Sequence, residues 1–192
     1  MMNYRHTILS KSLPFFYIII CVFILLNSCK NEATKISVKN PSPYFTNFFS
    51  EHEEGILKSI SFNSQAGEIK KIEKSKLYES SNDHLFYEFS YPKDSTPFEE
   101  YANIHYYFNE ANTLDIITAD IYLNDSIQEQ QLKNNLIDYY TQQFGNPKTD
   151  DYGYTTWNAS KKEKKTDKEY SYSVAIKKLK DDYGINLEYL KE

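Results

Sequence analysis

Residues 101–123 read YANIHYYFNEANTLDIITADIYL, and the apolar pattern of this segment indicates a β-hairpin in the sheet. Apolar residues stand at every second position of its first part: Ala102, Ile104, Tyr106 and Phe108. This alternation predicts a strand over 101–109 with one buried face. After a turn at 110–112, residues 114–123 are apolar at both parities, which is typical of a central strand. The short connection makes the two strands antiparallel neighbours.

The same alternation continues on both sides of this stretch. Aromatic and β-branched residues recur with period two between clusters of Asn, Asp, Ser, Gly and Pro, which is the pattern of short strands joined by turns. Five further strands are predicted, at 76–80, 84–91, 152–158, 170–177 and 185–189.

Two helices accompany these strands. The clearer one begins at a capping box of Ser126 and Glu129 and ends before Gly145. Its apolar stripe repeats every four residues: Leu132, Leu136, Tyr140 and Phe144. A shorter helix precedes the strands, and its cap is expected at Asn63 or Ser64.

The predicted fold class is therefore α+β. An antiparallel sheet of about seven strands carries two helices on one face, because each helix has a single apolar stripe to bury. The order of one helix, four strands, one helix and three strands indicates a possible α-β4-α-β3 duplication. Residues 51–192 are expected to form this single domain.

The N-terminal segment has the features of an export signal. Arg5, His6 and Lys11 precede the apolar run 15–26, FFYIIICVFILL, and no acid lies among them. A basic head, a short apolar middle and a small residue at the end define a signal peptide, here 1–28. A helix of this length reaches about 18 Å, at roughly 1.5 Å per residue, and the hydrocarbon core is about 30 Å thick.

The end of this segment, Leu26-Asn27-Ser28-Cys29, resembles the lipobox of bacterial lipoproteins. The resemblance implies cleavage between Ser28 and Cys29 and a diacylglycerol, with palmitate-type chains, on the Cys29 thiol. Cys21 does not fit, since the branched Ile20 precedes it. An uncleaved anchor helix and a plain secreted product remain alternatives.

Residues 29–50 are expected to be the lipidated N-terminus and a tether, because Pro and polar residues dominate their first part. Phe45, Phe48 and Phe49 are expected to dock on the domain. Lys30 after the cysteine suggests the outer membrane by analogy with lipoprotein sorting. The element pattern also looks like that of outer-membrane assembly lipoproteins and β-lactamase-inhibitor proteins, which implies the same small α+β architecture.

Composition excludes several classes of function. Removal of 1–28 takes away Arg5 and Lys11 but no acid, so the formal charge falls from −5 to −7. An acidic chain without arginine is a poor partner for nucleic acid. Cys29 is then the only cysteine, which excludes a disulfide framework and a thiol nucleophile.

Catalytic and metal-binding patterns are missing from the sequence. His52, His84 and His105 lack metal-ligand spacing, and neither a Gly-x-Ser-x-Gly elbow nor a phosphate loop occurs. We therefore expect surface imidazoles, no metal, no cofactor and no enzyme. Asp120 is the least usual acid, since it lies in an apolar strand, and it faces either solvent or a pocket. The lysines at 161, 162, 164 and 165 predict a solvated hairpin tip, with contact to anionic headgroups as the alternative.

The candidate binding face follows from strand parity. If the alternating apolar residues face the helices, then Phe86, Tyr101, His105 and Tyr107 face away. Exposed aromatic side chains often mark a binding surface, although cross-strand pairs can simply stabilise a sheet. The sequence thus predicts a non-enzymatic envelope protein, anchored in the membrane by its lipid, that binds an envelope protein or polymer. The alternatives are an inhibitor or immunity-type lipoprotein and a hydrolase with a scattered site.

Overall fold

Eight antiparallel strands form one sheet in the order β1-β2-β3-β4-β8-β7-β6-β5. The computed structural model describes residues 38–49, 56–91, 100–162 and 169–192. The strands are β1 Lys76–Ser80, β2 His84–Ser90, β3 Tyr101–Phe108, β4 Leu114–Tyr122, β5 Lys148–Thr149, β6 Thr155–Lys162, β7 Glu169–Lys178 and β8 Gly184–Lys191. Three helices lie in the described ranges: α1 Pro43–Phe49, α2 Ala66–Ile72 and α3 Ser126–Phe144.

The antiparallel α+β architecture is confirmed, but the predicted numbers of strands and helices are wrong. The sequence predicts seven strands and two helices, whereas the described residues contain eight and three. The extra strand, β5, pairs with the start of β6. Strand β5 is only two residues long, which is too short to show a periodic pattern in the sequence. Strand β6 also begins and ends later than predicted, so Lys161 and Lys162 belong to a strand rather than to a loop. Lys164 and Lys165 lie outside the described residues.

Helix α1 was not predicted, although the docking of Phe45 is confirmed. Tyr44 and Phe45 are buried in the core. The backbone N–H of Ser42 donates a hydrogen bond of 2.8 Å to Oδ1 of the buried Asn135 on α3. Phe45 packs edge-on against Tyr139, with ring centroids 5.4 Å apart. Part of the stretch expected as a tether therefore belongs to the folded domain; the side chains of Phe48 and Phe49 lie outside the described ones.

Both predicted helix caps are wrong by one or two positions. Asp125 rather than Ser126 caps α3, and its carboxylate accepts hydrogen bonds from the N–H groups of Ile127 and Gln128, both 2.8 Å long. A carboxylate at this position also faces the positive end of the helix dipole. Gln65 rather than Asn63 or Ser64 caps α2. The predicted end of α3 at Gly145 is confirmed.

The core lies on one face of the sheet. The inward side chains of the central strands are buried together with the predicted stripe of α3, of which Leu132, Leu136 and Tyr140 are buried and Phe144 partly buried. The same cluster contains Ile69 of α2 and Phe62 of the preceding loop. In the described ranges, no helix is long and apolar enough to cross a bilayer.

Two buried carboxylates fasten the helical side to the sheet. Glu73 follows α2 and accepts hydrogen bonds from Lys58 Nζ at 2.8 Å and from the Tyr106 hydroxyl at 2.9 Å. Glu129 of α3 forms an ion pair with Lys178 and accepts a 3.2 Å hydrogen bond from the backbone N–H of Gly184. These contacts connect the helices to the middle strands and hold the sheet in place beneath them.

Candidate functional site

The four predicted binding residues lie on the face of the sheet opposite the core. Along β2 and β3 the buried side chains alternate with partly exposed ones, and Phe86, Tyr101, His105 and Tyr107 all belong to the second set. Tyr107 is the most open of the four, with 37% of its surface exposed. We call this surface the open face. Its role in binding stays a prediction.

Five aromatic side chains form a ring cluster at one end of the open face: Tyr78, His84, Phe86, His105 and Tyr107. Register partners stack nearly parallel, with ring centroids 4.6 Å apart for Phe86 and His105 and 4.7 Å apart for His84 and Tyr107. These separations match the spacing of neighbouring strands, about 4.8 Å. The rings therefore stack across the strands, and their edges rather than their faces are turned to solvent.

Two histidines within this ring cluster are hydrogen-bonded to each other. Nε2 of His84 and Nδ1 of His105 are 2.9 Å apart, so one imidazole donates its N–H to the lone pair of the other. Nδ1 of His84 lies 3.8 Å from the Glu79 carboxylate. Both histidines were expected to be separate surface side chains, whereas the pairing of β2 with β3 brings them together.

A second ring pair lies further along the same strands. Tyr101 on β3 and Tyr122 on β4 are register partners with ring centroids 4.5 Å apart and an angle of 21° between the planes. Sequence reasoning selected Tyr101 but missed Tyr122, because residues 114–123 are apolar at both parities and show no preferred face. The parity of β4 relative to Asp120 could have identified it.

A row of polar side chains runs between the ring cluster and the ring pair. It consists of Glu88, Asn103, Asp120 and Asn186, which are successive register partners on β2, β3, β4 and β8. We call it the acceptor row. Asn186 Nδ2 donates a 2.8 Å hydrogen bond to Asp120 Oδ1, whereas the buried Oδ1 atoms of Asn103 and Asn186 have no hydrogen-bond partner among the described residues. Asp120 thus faces the open side of the sheet and does not enter the core.

The ionisable groups of the open face show the effect of the acceptor row. Burial raises the pKa of Tyr107, and the carboxylates of Asp120 and Glu79 raise it further. Burial and then Asp182 and Glu88 raise the pKa of Tyr101 in the same way. Burial and the nearby carboxylates therefore both disfavour the charged form of these two tyrosines.

The pKa of the His105 imidazole is lowered, whereas the pKa values of the two tyrosines are raised. Burial lowers its pKa and the neighbouring His84 lowers it further, although Asp120 and Glu79 oppose the shift. The geometry and the lowered pKa both favour a neutral His105 that shares one N–H with His84.

Among the described residues, no group of three or more His, Cys, Asp or Glu side chains could hold a metal ion. The remaining predicted residues, Ser28 and Cys29 at the cleavage site and His52, lie outside the described ranges. No family model matches this chain, and no curated protein and no solved structure is significantly similar to it.

Proposed function

We propose that this chain is a non-enzymatic, lipid-anchored binding protein of the bacterial cell envelope, and that the open face is its contact surface. The observation that carries the proposal is a sheet with its core on one side and, on the other, two groups of partly exposed aromatic side chains beside a polar row. Exposed aromatic surface of this kind is enriched where proteins bind one another.

The anchor part of the proposal rests on the lipobox-like sequence Leu26-Asn27-Ser28-Cys29. Several acyl chains on and beside Cys29 would hold the domain firmly at the membrane, since each buried CH2 contributes about 0.8 kcal/mol. The outer membrane is the proposed site, because Lys30 follows the cysteine. Labelled palmitate should enter the wild-type chain but not Cys29→Ser. Equal labelling of both would refute the anchor.

The open face is tested by in-cell crosslinking of the full chain. The variants Phe86→Ala and Tyr107→Ala should each lose a specific crosslinked partner. Ile127→Ala serves as the matched control, because Ile127 is a large apolar side chain on α3 with 77% of its surface exposed. Unchanged crosslinking in both aromatic variants would reject the open face as the contact surface.

We also propose that the domain arose by duplication of a unit of one helix and four strands. The first unit would be α2 with β1–β4 and the second α3 with β5–β8, and the two meet where β4 pairs with β8. Among the described residues, only the first unit contributes stacked rings to the open face, so the binding role would have evolved in one copy. In an experimental structure, α2 with β1–β4 should superimpose on α3 with β5–β8; units that do not superimpose would contradict the duplication.

A further inference from the structure

We propose that the open face binds a basic segment of a protein partner, whose lysine or arginine side chains sit over the acceptor row. This inference rests on the proposed function and specifies the chemistry of the partner. Three features of the open face support a basic partner: its charges, the orientation of its rings and the length of the acceptor row.

Charge complementarity is the first argument. Among the described residues, five carboxylates stand on the open face, at Glu79, Glu88, Asp120, Glu169 and Glu188. Its lysines are Lys76, Lys148, Lys162 and Lys177, and all four lie on the flanking strands β1, β5, β6 and β7. Lys76 donates to the Tyr78 hydroxyl at 2.8 Å, and Lys177 lies 4.8 Å from the centroid of the Tyr154 ring. On the middle strands β2, β3, β4 and β8 this face carries the carboxylates Glu88, Asp120 and Glu188 and no lysine. The centre of the face is therefore acidic, and a cationic partner complements it.

The amide oxygens of the acceptor row strengthen this preference. Oδ1 of Asn103 and Oδ1 of Asn186 flank the Asp120 carboxylate across the strands, and neither accepts a hydrogen bond from a described residue. They add partial negative charge beside a full one. Because both oxygens are buried, they act through their electric field and not by direct contact. This field attracts the positive charge of ammonium and guanidinium groups and repels a carboxylate or phosphate.

The ring orientation distinguishes a basic segment from a glycan. Sugar rings are usually held by stacking on an aromatic face, but here the stacked neighbours cover most ring faces. Ring edges on both sides of the acceptor row instead provide apolar contact for methylene groups. Lysine and arginine bury their stems along such surfaces while the charged head reaches a polar group. On β2 and β3 the residues of the row and of the ring cluster are two positions apart, about 7 Å, which a side chain of this length spans.

The length of the row and the charge of the face argue for a protein segment other than a second copy of this chain. Four neighbouring strands at about 4.8 Å spacing give the row a length of about 14 Å, which accommodates more than one cationic side chain. Two copies that met centre to centre through their open faces would bring the carboxylates of β2, β4 and β8 together. Self-association through this face is therefore disfavoured.

The test is a selection of phage-displayed random dodecapeptides on the full chain in detergent micelles. Affinities of the enriched peptides are then measured for the wild type, Tyr107→Ala, the double variant E88Q/E188Q and the double variant D138N/D151N. Glutamine keeps an oxygen that can accept from the Tyr78 and Tyr154 hydroxyls, at 3.2 and 3.3 Å in the wild type. The control D138N/D151N removes the same charge from exposed positions outside the open-face strands, one on α3 and one in the turn between β5 and β6.

We expect lysine- or arginine-rich peptides that bind E88Q/E188Q roughly five- to tenfold more weakly, consistent with exposed pairs of up to about 1 kcal/mol each. Their binding should be unchanged in D138N/D151N and lost in Tyr107→Ala. If peptide binding is lost in Tyr107→Ala but unchanged in E88Q/E188Q, the partner is not a basic segment, although the open face is still its contact surface. Three other results would also overturn this inference. Peptide binding could weaken equally in both double variants, it could be unchanged in Tyr107→Ala, or the selection could enrich no peptide. The in-cell crosslinking decides separately whether the open face binds at all.

Discussion

Replacement of Lys58 by methionine should cost the domain about 3 kcal/mol of unfolding free energy at pH 7. The Glu73 side chain has no exposed surface and Lys58 only 14%, and their charged atoms are 2.8 Å apart. Loss of one partner from a buried pair typically costs about 3–5 kcal/mol, because the other charge stays buried. The lower end applies here, since Glu73 also accepts hydrogen bonds from the Ser75 N–H and the Tyr106 hydroxyl.

The pH dependence of this loss gives a second, independent readout. Burial alone would raise the pKa of Glu73, but the charge and hydrogen bond of Lys58 outweigh it and lower the pKa below 4.5. Stability from this group is therefore present above about pH 4.5 and is lost as the pH falls through the lowered native pKa. Without Lys58 the burial effect dominates and the carboxyl protonates more readily. The difference between wild type and variant should then shrink at pH 4.

Urea unfolding followed by the fluorescence of Trp157, the single tryptophan, measures both effects. Lys70→Met is the matched control, because Lys70 forms an exposed hydrogen bond to Ser80 and should contribute less than about 0.5 kcal/mol. A loss below about 1 kcal/mol for Lys58→Met, or an equal loss at pH 7 and pH 4, would refute the buried ion pair.

Two further predictions concern the sheet. Gly184→Ala should destabilise the domain by about 1–3 kcal/mol or more, because the added Cβ would lie 2.2 Å from the backbone oxygen of Ile121. Gly67→Ala meets open space and should stabilise α2 by up to about 1 kcal/mol. Thermal unfolding of the two variants measures both effects. The lowered pKa of His105 should make stability fall as the pH drops below 6.5 toward the native value, because the unfolded state binds the proton first. Denaturation between pH 7.5 and 5.5 should give a shallower profile for His105→Gln, and an unchanged profile would show that the histidine pair does not control this dependence.

Strand parity was the part of the fold that the sequence predicted best. The alternation of Ile104 and Tyr106 with His105 and Tyr107 assigned each side chain to a face before any pairing was known. A period of two is a local property of the chain, and one buried face fixes it. The four candidate residues could therefore be placed on a shared surface from sequence alone.

Long-range pairing was beyond such reasoning. The acceptor row depends on Asp120 meeting Asn186, 66 positions later in the chain, and no local pattern marks that contact. Helix α1 likewise depends on the bond between Ser42 and Asn135, while Pro41 before it and Pro43 at its start resemble the prolines of a tether. Asn186 and α1 were missed because tertiary contacts, not local propensity, determine their roles.

The central claim is that partners meet the open face of this anchored domain and not its helical side. A photo-crosslinking amino acid placed at Tyr107 in the full chain, compared with the same amino acid at Ile127 on α3, tests this directly in intact cells. We expect a discrete crosslinked species from position 107 and none from position 127. Crosslinking at 127 alone, or no crosslink at 107, would contradict the account.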